Sequence, residues 1–286
     1  MTSPPLLAPA KINLHLRVGK VRPDGFHPLV SWMVTVGLSD VLTVTPADRL
    51  AFSCDDPTLP TDGRNLVVKA ITGLAARLGR EPAVAVHLAK RVPAGGGLGG
   101  GSSDAAHALM AVAKLWGVDD LKLLAEVAAT VGSDVPFFLY GPSSVCRGRG
   151  ELVMPVAVPA VARHVVLVLP GIEMPTAAVY RKFDEMGMGS DTTADLGEGA
   201  WTFLPAAELM GHLVNDLEPP AFAIRPDLGD LRTRLESELG QPVRMSGSGS
   251  TLFTLFDDHA SAADAAATIG AGGTRAAAVP LAPSVA

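Results

Sequence analysis

Pro93-Ala94-Gly95-Gly96-Gly97-Leu98-Gly99-Gly100-Gly101-Ser102-Ser103 is the stretch whose reading decides the fold, and six of its eleven residues are glycine. Before it, residues 83–90 carry Val84, Val86 and Leu88 on one face, a strand pattern. After it, from about Asp104 to Trp116, Ala105, Leu109, Val112 and Trp116 share a helical face. Strand, glycine loop and helix form a layout suited to phosphate. Glycine lets the backbone turn tightly and approach closely, and the free N–H groups and positive dipole end at a helix start favour a polyanion. Ser102 or Ser103 is placed to cap this helix and to offer a hydroxyl to a phosphate or its metal.

Other readings of the run lose ground. A flexible linker would join domains, whereas this run lies between two apolar periodic segments. No Gly-Lys-Ser/Thr follows, so it is not the P-loop of the large NTPase class. Gly95, Gly97 and Gly100 fit G-x-G-x-x-G, but a dinucleotide site needs an acidic residue about 20 positions on, ending the next strand. Asp119 and Asp120 are near that distance and instead start a helical pattern through Leu121, Leu124, Val127, Ala128 and Val131.

The chain of 286 residues is long enough for two modest domains or one large one. Nearly half of its residues are hydrophobic, so sizeable cores can be buried. No apolar run reaches the ~18 residues that span a bilayer, and residues 1–10 lack a signal-peptide layout. Cys54 and Cys146 are too few for a disulfide framework or a cysteine zinc site, which makes a reducing cytoplasm the expected setting. A net charge of −6 without a basic run argues against nucleic acid.

From the start, residues 10–18 alternate, with Ile12, Leu14, Leu16 and Val18 on one face and Lys11, Asn13, His15 and Arg17 on the other, the pattern of a half-buried strand. Residue types alone leave Lys11 and Asn13 open between a solvated face and a site. Pro23-Asp24-Gly25 marks a turn, and Phe26 and His27 lead into an apolar strand over residues 29–36. Gly37-Leu38-Ser39-Asp40 reads as a tight connection to a further strand, 41–45. Residues 49–63 read as an irregular or edge segment. Asn65 caps a helix that runs to Leu78 and stops at Gly79. Asp134, in Ser133-Asp134-Val135-Pro136, is either the cap of a short helix or a carboxylate beside the glycine loop, a natural general base. Residues 144–156 read as a hairpin around Gly148-Arg149-Gly150, and 155–160 as a domain boundary. Beyond it, 164–169 is a buried strand, Thr176 caps a helix carrying Tyr180 and Phe183, and 185–200 is an open loop. A helix at 226–239, strands at 242–245 and 251–256, a helix at 261–269 and a strand at 274–280 complete the pattern. Ser246-Gly247-Ser248-Gly249-Ser250 is a second glycine-serine loop, which a hairpin turn would also explain.

Three segments in this order resemble the motifs of the GHMP kinase superfamily of small-molecule kinases. They are Pro9-Ala10-Lys11-Ile12-Asn13-Leu14, the run from Pro93 to Ala106, and Arg244-Met245-Ser246-Gly247-Ser248-Gly249-Ser250. Arg22-Pro23-Asp24-Gly25-Phe26-His27, Gly132-Ser133-Asp134-Val135-Pro136-Phe137-Phe138 and Asn215-Asp216-Leu217-Glu218-Pro219 resemble the branch whose substrate carries a cytosine base. The resemblance implies an α/β (α+β) fold. A ribosomal protein S5 domain 2-like domain would cover residues 1–157 and a ferredoxin-like domain 158–286, with the active site in the cleft between them.

It also implies the chemistry: transfer of the γ-phosphate of ATP, with Mg²⁺, to the 2-hydroxyl of a cytidine-diphosphate-linked methylerythritol in a route to isoprenoid precursors. Asp134 would be the base, with Lys11 beside it holding it ionised and steadying the transferred group. Pro93 through Ser103, Asn65 and Lys90 would bind ATP, and Ser103 matches a superfamily magnesium position. Asn13, Phe26, His27, Thr176 and Tyr180 would form the substrate site, with His27 reading the cytosine edge and Tyr180 stacking on it. The partners implied are ATP and the small substrate, with no nucleic acid and no membrane. A kinase for mevalonate or homoserine is disfavoured by Phe26, His27 and Tyr180, because those substrates carry no base. A non-catalytic nucleotide-binding regulator is disfavoured by the intact Lys11, Asp134 and glycine loop.

Overall fold

The computed structural model of the protein describes residues 5–189 and 198–283. The open loop expected over 185–200 falls largely on residues 190–197, outside the described residues.

The first sheet is organised by one long strand. β1 (Leu6–Val18) pairs antiparallel with β2 (Leu29–Pro46) along nearly its whole length. On its other side β2 serves two partners end to end: β5 (Ser143–Gly148) along residues 29–34 and β4 (Val84–Ala89) along 41–46. β3 (Ala51–Cys54) and β6 (Leu152–Pro155) lie outside β4 and β5, and β1 forms the opposite edge. The connection expected at Gly37-Leu38-Ser39-Asp40 does not exist, since β2 runs through it. Gly37 is there for space rather than for a turn: a Cβ on it would lie 2.6 Å from the Pro280 ring. The register slips beside it, between Pro9 and Lys11, which is a bulge rather than a chain reversal.

Three helices cover one face of this sheet: α1 (Leu66–Arg77), α2 (Gly100–Leu115) and α3 (Leu121–Val131). Asn65 caps α1 as expected, accepting the Val67 N–H at 2.9 Å, and Asp120 caps α3 by accepting from Leu123. Ala105, Ala106 and Ala108 on α2 are fully buried, and side chains this small bring the helix close to the strands. The opposite face packs on a second sheet, ordered β10 (Ala276–Pro280), β7 (His164–Val168), β9 (Leu252–Phe256), β8 (Arg244–Met245), and antiparallel throughout. Period-two alternation sorts the side chains between layers. Ile12, Leu14, Trp32 and Val34 meet Val165, Leu167, Phe253 and Leu255 between the sheets. Val166, Val168 and Leu252 turn outward beneath α4 (Thr176–Glu185), α7 (Glu218–Ile224), α8 (Pro226–Leu239) and α9 (His259–Ala271). The short helices α5 (Glu198–Trp201) and α6 (Ala206–His212) close the side of the inter-sheet core.

β1 departs from the half-buried strand expected. Lys11, Asn13 and His15 are all buried. The polar face of β1 is covered because residues 213–216 run alongside it: the Leu16 N–H donates to Val214 O at 2.8 Å, and the Asp216 N–H donates back to Leu16 O at 3.0 Å.

Candidate active site

Where the polar face of β1 meets the start of α2, a cavity of about 460 Å³ opens. The glycine run forms its wall, and α2 begins inside that run at Gly100, four residues before the start expected from the sequence. Ser102 and Ser103 therefore lie within the first turn and cap nothing. The cap position is Gly99, in the left-handed region at φ +67°, and no side chain bonds there. Helix geometry leaves the amides of Gly100, Gly101 and Ser102 without acceptors inside α2.

The loop carbonyls are occupied. Gly96 O accepts from the Thr251 N–H at 3.1 Å, Gly97 O from the Ser246 hydroxyl at 2.9 Å, and Leu98 O from the Lys11 N–H at 2.9 Å. With its acceptors tied to β1 and to the second glycine-serine loop, the run has amide donors rather than carbonyls left for an anion. Glycine is required where these segments touch. A Cβ on Gly97, at φ +76°, would collide with the Ser246 carbonyl oxygen, and one on Gly99 would lie 2.9 Å from Lys11 Cγ.

The second loop is thus part of the site and more than a hairpin turn. The Ser246 hydroxyl accepts the Asn13 N–H at 3.2 Å, and Asn215 Nδ2 donates to the carbonyls of Met245 and Gly247 at 2.7 and 2.8 Å. Ser248 and Thr176 share a 2.8 Å hydroxyl–hydroxyl bond at the cavity wall. Thr176 does not cap α4, whose preceding residue is Pro175. It faces the second loop instead.

Lys11 sits at the centre. Its Nζ donates to Asn13 Oδ1 at 2.6 Å and lies 3.3 Å from Asp134 Oδ2. Asn13 is fixed in turn, since its Nδ2 donates to the Ser31 hydroxyl at 2.8 Å and Ser31 donates to His15 O at 2.9 Å. Asp134 does not cap the short 3₁₀ turn Pro136–Leu139, in which no side chain bonds at the start. Its carboxylate is about one-third exposed, open to the cavity, beside a buried ammonium.

Lys90 also lines the cavity, but it is clamped. Its Nζ donates to Asp40 Oδ2 at 2.5 Å and to Asp104 Oδ2 at 2.9 Å. Asp40, in the stretch expected to be a turn, is fully buried and also accepts the Arg91 and Val92 amides. Its burial was legible once β2 is continuous, because residue 40 shares the inward parity of Leu42 and Val44. Burial pushes the Asp104 carboxyl up to about 7 against the opposing pull of Lys90, and Asp104 Oδ1 has no hydrogen-bond partner. Sequence reasoning missed both carboxylates, and it missed Arg64, which joins Asn65 on the wall.

The remaining expected residues are spread unevenly. Pro93 through Ser102, Asn65, Thr176 and Tyr180 line the same cavity. Ser103 does not. It is fully buried on the far side of α2, with its hydroxyl 3.3 Å from His107 Nδ1, so a metal-binding role for its side chain does not fit this position. Phe26 and His27 stand beyond the cavity rather than in its wall. His27 is buried, with Nδ1 2.9 Å from Gly19 O, Nε2 3.4 Å from Asp184 Oδ1, and its ring 5.1 Å from that of Tyr180. Burial, helped by the Asp134 charge, pushes the Tyr180 phenol up, which keeps it neutral. Phe26 is half exposed beneath the guanidinium of Arg149.

Residues 65–142 match the GHMP kinases N terminal domain, and residues 202–274 match GHMP kinases C terminal. A 4-diphosphocytidyl-2-C-methyl-D-erythritol kinase of Streptomyces coelicolor is 40% identical over 275 residues, covering 93% of this chain and 92% of that protein. A crystal structure of a 4-(cytidine 5'-diphospho)-2C-methyl-D-erythritol kinase superposes with a TM-score of 0.81 at 37% identity, covering 98% and 100% of the two chains. Homoserine kinase from Cytophaga hutchinsonii has a TM-score of 0.71 at 20% identity, over 96% and 93% of the two chains, a likeness of fold alone.

Proposed function

This chain belongs to the GHMP kinases and, among them, to the 4-diphosphocytidyl-2-C-methyl-D-erythritol kinase family, and on that premise we propose how its cleft carries out the reaction. The enzyme is a small-molecule kinase of isoprenoid precursor synthesis. It moves the γ-phosphate of ATP to the 2-hydroxyl of its cytidyl substrate, giving the 2-phosphate and ADP.

The observation that carries the mechanism is the Lys11–Asp134 pair, 3.3 Å apart at the foot of the glycine loop. Asp134 takes the proton of the substrate hydroxyl as the oxygen attacks the γ-phosphorus, and the bond to the β-phosphate oxygen breaks. Lys11, held by Asn13, stands beside that carboxylate and faces the negative charge on the transferred group. The amides of Gly100, Gly101 and Ser102 receive the phosphates. Asn65 and Lys90 flank the nucleotide, with Lys90 acting through its two carboxylates as a fixed wall more than as a free cation.

Among the described residues, no group of three or more His, Cys, Asp or Glu could hold a metal. Mg²⁺ would come with ATP, and the Asp134 carboxylate and the Ser102 hydroxyl on the cavity wall are the groups of this chain that would hold it. When bound, it neutralises charge on the phosphoryl group being transferred. At the other end Phe26, His27 and Tyr180 take the cytosine, and Asn13 and Thr176 border the polyol.

We place the domains at 1–157 and 158–286, in keeping with the two sheets, and the enzyme in the cytoplasm. No described helix is long and apolar enough to cross a membrane. The test is ADP release with Mg-ATP on the cytidyl substrate, mevalonate and homoserine, repeated with Asp134→Ala. Turnover on the cytidyl substrate alone, largely lost in the variant, is expected. Turnover on a base-free alcohol would remove the cytosine pocket.

A further inference from the structure

Arg149 stands at the tip of the β5–β6 hairpin and has no role in the mechanism above. Two observations tie that tip to both ends of the substrate. Its neighbour Gly150, at φ +116°, lies against the catalytic segment: a Cβ there would be 3.3 Å from Ser133 O and 3.6 Å from Asp134 Oδ1. The Arg149 guanidinium lies over the ring of Phe26, with Cζ 4.8 Å from the centroid.

The guanidinium is largely uncommitted. Its ion pair is Glu151, with Nε 3.7 Å from Oε1, while Glu151 Oε2 is taken by the Arg149 N–H at 2.5 Å. Among the described residues its two Nη atoms make no hydrogen bond. The other charge it faces is Asp24, paired with Arg22.

In the substrate the order of groups is base, diphosphate, polyol. With the base at Phe26 and the reacting hydroxyl at Asp134, the diphosphate must lie between them, along the span that the hairpin tip bridges. We propose that Arg149 is a specificity residue for that diphosphate, and that in the free enzyme its guanidinium occupies the face of Phe26 that the cytosine takes up. This rests on the reading of Phe26 and His27 as the cytosine pocket. An exposed cation–π contact is weaker than a forked, charge-assisted bond from Arg to a phosphate, so substrate draws the guanidinium off the ring and onto the phosphates. The exchange favours a nucleoside diphosphate over a nucleoside twice: the phosphate gains a fork, and the base gains the vacated ring.

The experiment is calorimetric titration of cytidine and of CDP into the wild-type protein, Arg149→Ala and Arg149→Lys, with steady-state kinetics on the full substrate. Arg149→Ala is expected to weaken CDP at least ~10-fold, the scale of a lost charge-assisted bond, while cytidine binds as well as before or up to ~3-fold tighter. KM for the cytidyl substrate rises similarly, and kcat and KM for ATP stay within about two-fold, because the phosphate cradle is untouched. Arg149→Lys recovers part of the loss, since it restores the charge without the fork. Equal weakening of cytidine and CDP would mean that Arg149 only packs Phe26 and would overturn the proposal, as would no change in either. If the wild-type protein bound neither, the cytosine pocket itself would fall, and the role of Arg149 with it.

Discussion

At the phosphate end of the cleft, Gly97 and Gly99 lie so close to Ser246 and Lys11 that one added carbon would collide. At the base end, Phe26 and Arg149 stand on turn tips, partly in solvent, and touch each other across 4.8 Å. The first region is built from main chain: three carbonyls tied to neighbouring segments and a helix start with free amides. The second is built from side chains. A main-chain cradle serves any nucleoside triphosphate and leaves little room for change. Side chains on turns read one base and can be exchanged without disturbing the fold. The reaction needs fixed geometry where the phosphorus moves, and recognition needs only enough binding to hold the far end.

That contrast can be broken at several points. The largest effect is expected from Gly97→Ala. It places a methyl against the Ser246 carbonyl on a left-handed backbone, so it should part the two loops and cost more than about 3 kcal/mol, with turnover falling ~100-fold or more. Urea unfolding and ADP release read both. Lys11→Ala should come next, with kcat down ~100-fold and a smaller loss in KM for ATP, since it leaves Asp134 without its counter-charge and Asn13 Oδ1 without a donor. His27→Ala at the base end should raise KM for the cytidyl substrate ~10-fold and leave ATP use alone. If His27→Ala lowered kcat as much as Lys11→Ala did, the division between the two ends would be wrong.

Gly95 sharpens the same comparison within one loop. It too has a positive φ, +71°, but a Cβ there meets nothing within 4 Å. Gly95→Ala should therefore cost only about 1 kcal/mol, the backbone preference alone.

The smallest effect concerns pH. The Asp104 carboxyl is raised in the folded protein from 3.8 to about 7, so its contribution to stability is full below about 4 and is lost as pH rises through 7. Asp104→Asn should remove that loss. Relative to the parent, the variant should gain stability between about pH 4 and 7 by at most about 1.4 kcal/mol per pH unit. Melting midpoints across that range check it, and a difference that stayed constant with pH would contradict it.

Much of the fold was legible. Alternation marked β1 and β4, a continuous apolar run marked β7, Asn65 and Asp120 announced their helices, and the glycine run announced a phosphate loop. The misreadings share one cause. Gly37 in β2 and the serines at the start of α2 were read by local propensity, while a distant segment decides their state. Pro280 occupies the space at Gly37, and the tie from Gly97 to Ser246 helps hold the loop from which α2 begins. Ser103 was matched as a metal ligand by position in a motif, and the turn of the helix points it at His107 instead.

Lys11, Asn13 and Asp134 were marked only by the family resemblance, and what the sequence alone determined is the set of parts: strands by period two, helices by period 3.6, and a glycine loop. Short-range sterics and hydrogen bonding suffice for those. The tertiary structure alone decided which polar groups face the cavity, that Lys90 is held between Asp40 and Asp104, and that residues 246–251 lock onto residues 96 and 97. Those outcomes depend on contacts between segments far apart in the chain, 233 residues for the Asn13–Ser246 bond, where burial forces each donor to find an acceptor, and no local pattern records which one it finds.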